Sequence, residues 1–262
     1  MIPVVKAELQ RLGRRRPLLL AALGAVVFSV VATLAVFSAA PATGPVGPQG
    51  GTTLERLAAH GGGTEAFAVG ASFVGFLVFV TFIALMANEF SSGTYRSLLL
   101  RNPHRLQVIV GKLVGVLLVA AGVVLLAEVV TFVVSLLVAP GQDIATSEWL
   151  SAASLGDALH DYGTVLAGVA GWAIFGTTLA VIFRSAPLAL GVGFAWAGPF
   201  ENITVDSWST GYRVYPGQVL RAVINGGTGE LGLGRALLTG AVYAAVAAGV
   251  AMVLLTRRDV TA

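Results

Sequence analysis

The chain has 262 residues, of which 56% are hydrophobic and 11% charged, with a formal net charge of +3 and a mean hydropathy of +0.86. A soluble globular domain carries about 25% charged residues, so a chain this poor in charge cannot cover a water-soluble globule; the composition excludes that class and points to a membrane protein. Cysteine is absent, which excludes disulfide frameworks, thiolate metal sites and cysteine nucleophiles.

The first sixteen residues do not span. Ile2, Val5, Leu9 and Leu12 recur at helical spacing, with Lys6, Glu8, Gln10 and Arg11 on the other face. This predicts a short helix lying in the inner interface, basic side toward anionic lipid; a frayed basic tail is the alternative. A spanning helix needs about 20 mainly apolar residues, and 17–40 is the first such run. Arg14 to Arg16, the apolar stretch and Ser38-Ala39-Ala40 resemble a cleavable signal peptide. However, the stretch is longer than the roughly 7–15 residues of a signal core, and Pro41 would follow the cut. Pro41 to Glu65 is rich in Gly and Pro and is expected to lack a fixed fold.

The second span is 67–87, and an inner connection, 88–105, leads to the third, 113–138. Glu128 lies well inside that third span. An ionised carboxylate there costs about 2.5–3.5 kcal/mol on insertion scales, so it is expected to face protein or a water-filled cavity. It reads either as a group in a transport path or as a structural carboxylate hydrogen-bonded to Thr131, Ser135 or another helix. Pro140 to Asp161 is polar, with room for a short surface helix.

The fourth span, 162–183, carries Gly168, Gly171 and Gly176, a pattern of close helix packing. The fifth, 187–205, is weaker: it contains Pro199 and Glu201, so it is expected to be kinked or short, with Glu201 at the outer surface. Within 202–234, Trp208 suits an interfacial anchor. After Pro216, Val219, Leu220, Val223 and Ile224 form an amphipathic stretch too short to span, predicted to dip into the outer interface or re-enter between helices. The sixth span is 237–255. The expected fold is all-α, integral membrane, with six transmembrane helices.

With the N-terminus placed inside, the inner segments hold Lys6, Arg11, Arg14, Arg15, Arg16, Arg96, Arg101, Arg105, Lys112, Arg184, Arg257 and Arg258. The outer ones hold Arg56, Arg213, Arg221 and Arg235. A bias of about three to one predicts both termini in the cytoplasm.

Catalytic motifs are missing. A phosphate-binding loop needs G-x-x-x-x-G-K-[ST], but at Gly111-Lys112 Leu106 replaces the first glycine and Leu113 the hydroxyl. Gly191-x-Gly193 begins a dinucleotide pattern that Trp196 ends. His60, His104 and His160 lack metal-ligand spacing and are expected to be solvated. The chain is therefore expected to have no nucleotide, cofactor or metal site of its own and not to be an enzyme. No nucleic-acid partner is expected.

The inner connection reads Asn88-Glu89-Phe90-Ser91-Ser92-Gly93-Thr94-Tyr95-Arg96-Ser97-Leu98-Leu99-Leu100-Arg101-Asn102-Pro103-His104-Arg105. It suits a short helix that Ser92 or Thr94 caps and Asn102-Pro103 ends, with Glu89 near the amide end. Leu98, Leu99 and Leu100 would expose apolar surface among arginines. Glu89, Gly93, Thr94, Leu98, Leu99, Pro103, Arg105, Gly111 and Lys112 stand in the order found in ABC type-2 exporter permeases, which this segment resembles. The resemblance implies that Glu89 to Arg105, Arg96 included, is a coupling helix docking on a cytoplasmic ATPase. It also implies a single permease domain over 1–262 and a unit of two ATPase copies with a second permease, identical or related. ATP and magnesium would sit on the ATPase, and the unit would export an amphiphilic small molecule, peptide or lipid across the cell's inner (plasma) membrane. An ATP-independent channel or carrier is the alternative; it would want polar residues inside several spans, where only Glu128 is clear.

Overall fold

The computed structural model describes residues 1–45, 47–101 and 104–257, apart from the side chains of Phe73, Arg96 and Arg101. The described residues are helical with no named strand. The helices are α1 (Ile2–Leu12), α2 (Arg15–Ala39), α3 (Leu54–Ala58), α4 (Gly62–Ser91), α5 (Thr94–Arg101), α6 (Arg105–Val138), α7 (Ala152–Phe183), α8 (Ala186–Ala195), α9 (Glu201–Ser207), α10 (Gly211–Val214), α11 (Pro216–Ile224) and α12 (Leu233–Arg257). Five of them, α2, α4, α6, α7 and α12, are long and apolar enough to cross a membrane. This is a multi-pass membrane architecture. The fifth expected span is α8 and α9 joined by a π-helical turn, Trp196–Phe200, with Pro199 inside it. A proline has no amide to donate and crowds the preceding turn, which accounts for the break.

The core forms where α4 packs along α7. Phe79 and Trp172 meet there with ring centroids 4.8 Å apart, and Ile83, Ala173 and Ala180 are fully buried. Lipid is as apolar as leucine, so helices in it associate by close contact, which small residues allow. The glycines of α7 serve this purpose: a Cβ on Gly176 would sit 3.0 Å from Phe82 of α4, and Gly168 and Gly171 lie directly against Ile224 and Leu220 of α11. Helix α11 is buried along almost its whole length between α7 and α12. The amphipathic stretch after Pro216 is thus an internal wedge.

Glu201 is not at the surface: it is 0% exposed. Its two carboxylate oxygens accept the backbone N–H groups of Gly217 and Gln218, each at 3.2 Å. These are first-turn amides of α11, which have no partner within their own helix, so the carboxylate satisfies them and anchors the wedge. Neighbouring Asn202 accepts from Gln218 at 3.3 Å, and Arg221 donates to Gln49 at 2.6 Å.

The 41–65 connection is also ordered in part. Thr53 caps α3 through its hydroxyl, Leu57 is completely buried, and the Trp149 indole donates to the carbonyls of Leu57 and Ala59, each at 3.1 Å. Pro140 to Asp161 holds two 3-10 turns, Ala139–Gln142 and Ser147–Leu150, after which α7 has already begun at Ala152.

Trp208 is 47% exposed and sets its ring against Tyr215, whereas Trp172 is buried.

Candidate functional site

Two arrangements at opposite ends of α4 carry chemistry. At its C-terminal end, α4 stops at Ser91, and Ser92 and Gly93 turn the chain into α5. Gly93 has φ +70°, a left-handed conformation that glycine adopts without steric cost. The Ser92 and Thr94 hydroxyls lie 2.8 Å apart, and the Ser97 N–H donates to the Gly93 carbonyl at 3.2 Å. The short helix expected in this connection is therefore present.

Its side chains divide into two groups. Tyr95 is 3% exposed, stacks on Phe90 with centroids 4.6 Å apart and donates to the Arg105 carbonyl at 3.4 Å. Burial pushes its phenol up to about 12, against the opposing pull of the Arg105 and Arg184 guanidinium groups, so it remains a donor. Leu98 and Leu99 are half-buried and pack beside Tyr95 on Val108, Val181 and Leu255. Leu100 points away, 84% exposed. Of the leucine run, then, the first two members hold α5 to the bundle and the third is offered outward. Arg105 reaches across to the Leu255 carbonyl of α12 at 3.0 Å. Pro103 and the Arg96 side chain lie outside the described residues, as do Asn102, Arg258 and Asp259.

Glu89 is not at the amide end of α5. It belongs to the last turns of α4 and is turned inward, 6% exposed. Lys112 of α6 donates to it at 2.5 Å and to Glu8 of α1 at 3.1 Å. Arg11 of α1 donates to Glu89 at 2.9 Å and pairs with Glu8. Two acids and two bases make a neutral quartet joining α1, α4 and α6. Glycines permit the approach: a Cβ on Gly111 would meet Val4 at 2.9 Å, and one on Gly115 would meet Glu8 at 2.8 Å. Helix α1 thus lies with Glu8 against the protein, while Ile2 is 79% and Leu9 37% exposed. Of the polar face, Lys6 and Gln10 are exposed and only Glu8 is buried, while Val5 and Leu12 of the apolar face are half-buried. The connection between α7 and α8 is only Arg184 and Ser185, too short for a second helix of the α5 kind.

At the opposite end, an open cavity of about 700 Å³ lies between the start of α4, the second half of α6 and the start of α7. Leu125, Val129 and Phe132 of α6 face Leu155 and Leu159 of α7, with Trp149 at one side. Glu128 lines it and is 6% exposed. Its Oε1 is buried and accepts no hydrogen bond, and the Ser135 hydroxyl is likewise unpartnered. The expected bonds from Thr131 and Ser135 to Glu128 are not formed. Nearby, Asp161 accepts from Thr64 at 2.8 Å, and His60, half-exposed at the rim, pairs with Asp157. Sequence reasoning found Glu128 and missed Tyr95, Asp161 and the Glu8–Lys112 contact. An acid within an apolar run is conspicuous, whereas partners on distant helices carry no mark. Among the described residues no group of three or more His, Cys, Asp and Glu side chains is placed to hold a metal ion.

A search of curated proteins finds no match. Residues 51–194 match the family described as "Protein of unknown function (DUF2705)". That stretch runs from just before α3 to nearly the end of α8 and includes the inner connection, Glu89, Lys112 and Glu128. It covers more than half of the chain, which therefore belongs to that family.

Proposed function

We propose that this chain is the membrane-spanning permease subunit of an ATP-driven exporter, moved by a separate cytoplasmic ATPase that docks on α5. The observation that carries the reading is α5 itself. An eight-residue helix is marginal alone and needs tertiary partners. This one is fixed to α4, α6 and α12 through Tyr95, Leu98 and Leu99, yet leaves Leu100 exposed. A rigidly mounted helix with one large apolar side chain outward suits receipt of force from a partner. The likeness of Glu89 to Lys112 to type-2 exporter permeases supports the same reading.

In this scheme α8, the π turn and α9 form the fifth of six spans, both termini are cytoplasmic, and the chain sits in the cell's plasma membrane. Two ATPase subunits, carrying ATP and magnesium, act on two permeases, identical or related. ATP binding draws the ATPases together and displaces α5, shifting the helices between inward- and outward-open states. A shift of this kind requires nucleotide to favour one state over the other. The quartet of Glu8, Arg11, Glu89 and Lys112 makes α1 move with α4 and α6.

Affinity purification of the tagged chain from its native membrane tests the reading. A soluble ATPase is expected to co-purify, and its hydrolysis to depend on the permease. A chain that purifies alone and moves substrate without nucleotide would refute it.

A further inference from the structure

We infer that the cavity walled by α6 and α7 is a binding site for a lipophilic organic monocation, with Glu128 as its counter-charge. The inference rests on the exporter reading for the direction of movement, while the site itself is argued from its own chemistry. The volume, about 700 Å³, lies within the roughly 300–1,000 Å³ typical of pockets for drug-sized ligands. Its walls are mainly leucine, valine and aromatic side chains, with the hydroxyls of Thr64, Ser151, Ser154 and Tyr162 and the His60 ring among them, and no lysine or arginine among the described residues lines it.

The charge around it is acidic, and three of the acids next to its lining are engaged. Glu65 pairs with Arg56 at 3.0 Å, Asp157 pairs with His60, and Asp161 accepts from Thr64. Glu128 is the acid that lines the cavity itself, and its Oε1 is buried with no hydrogen-bond partner. A carboxylate held out of water without a partner is costly, and a cation entering the cavity removes that cost.

The walls determine the kind of cation. A small inorganic ion needs several oxygen ligands to replace its water; besides the one carboxylate, the hydroxyls that line the cavity are engaged within the protein, Thr64 on Asp161, Ser154 on the Trp149 carbonyl, Tyr162 on the Ala121 carbonyl and Ser151 by the Ser154 N–H. An organic cation with spread charge and apolar substituents holds its water weakly and gains by burial. Phe132 and Trp149 are among the lining side chains, and aromatic rings attract cations. The Trp149 ring is held in place by the bonds from its indole nitrogen to Leu57 and Ala59.

The test uses the purified full chain in phosphatidylcholine nanodiscs, with tetraphenylphosphonium as probe and equilibrium dialysis as readout. The wild type is expected to bind the probe. Glu128→Gln should weaken binding at least tenfold, while the uncharged triphenylphosphine oxide binds wild type and variant within twofold of each other, which also reports an intact cavity. Ala158→Trp, which fills the cavity from α7, should abolish binding of both probes. Equal tetraphenylphosphonium binding by wild type and Glu128→Gln would overturn the assignment. So would loss of the probe when phosphatidylethanolamine is added to the discs, since a lipid amine would then be the occupant. Binding by a monomeric fraction but not a dimeric one would overturn it in favour of a second copy. Because no ATPase is present, failure here leaves the ATPase reading standing, and binding without any co-purifying ATPase would do the reverse.

Discussion

Lys112→Ala tests the quartet that fixes α1 to the bundle. Lys112 is 5% exposed and touches both Glu8 and Glu89. Its removal leaves two buried carboxylates facing a single guanidinium, Arg11, which is 42% exposed. Removing one partner of a buried ion pair costs about 3–5 kcal/mol because a charge stays behind uncompensated. The simplest relief is for α1 to leave, taking Glu8 and Arg11 to water. At about 1.4 kcal/mol per factor of ten, the docking equilibrium of α1 should weaken by about a hundredfold to a few thousandfold. The chain has no cysteine, so Val4→Cys, at the contact with Gly111, supplies a single thiol. Its maleimide labelling rate should rise by a comparable factor in the Lys112→Ala background. The neutral double variant Lys112→Met, Glu89→Met keeps the Glu8–Arg11 pair and should restore most of the protection. Labelling within threefold of the wild-type rate after Lys112→Ala would refute the reasoning.

Four further outcomes are expected. Glu201→Ala strands two buried first-turn amides of α11 and should cost about 2–4 kcal/mol, seen as a lower thermal unfolding midpoint in detergent; Glu201→Gln, which keeps one acceptor, should lose less. Gly171→Val places methyl groups where Leu220 sits and should destabilise by about 1–3 kcal/mol through overpacking, read in the same assay. Leu100→Ser should weaken capture of the ATPase by about tenfold or more, since burying a leucine contributes about 1.5–3 kcal/mol, with expression unchanged. Leu98→Ala with Leu99→Ala should instead also lower the thermal stability of the chain by itself.

The long helices were legible because an apolar run of twenty residues has few other uses, and the glycines at 168, 171 and 176 do mark contacts. What the sequence concealed was the medium each face meets. The periodicity of α1 marks the helix, but not that Glu8 turns into the protein while Ile2 and Leu9 stay exposed and Val5 and Leu12 are half-buried. Glu201 reads as a boundary residue because acids are rare in spans; only the approach of α11, some fifteen residues later, supplies the amides that let it be buried. The 41–65 connection looks structureless for its Gly and Pro content, yet Leu57 and Trp149 order it through a contact between distant segments. The inner connection was readable as a helix, though not the division of its leucines, which depends on α12 and α7 lying beneath it.

The account depends most on α5 meeting an ATPase. A photo-crosslinking amino acid in place of Leu100, irradiated in intact cells, addresses that contact directly. The expected product is a covalent adduct between this chain and a nucleotide-binding protein, absent when the crosslinker replaces the exposed Leu137 of α6. Adducts formed only with lipid, or with a protein on the outer face of the membrane, would contradict it.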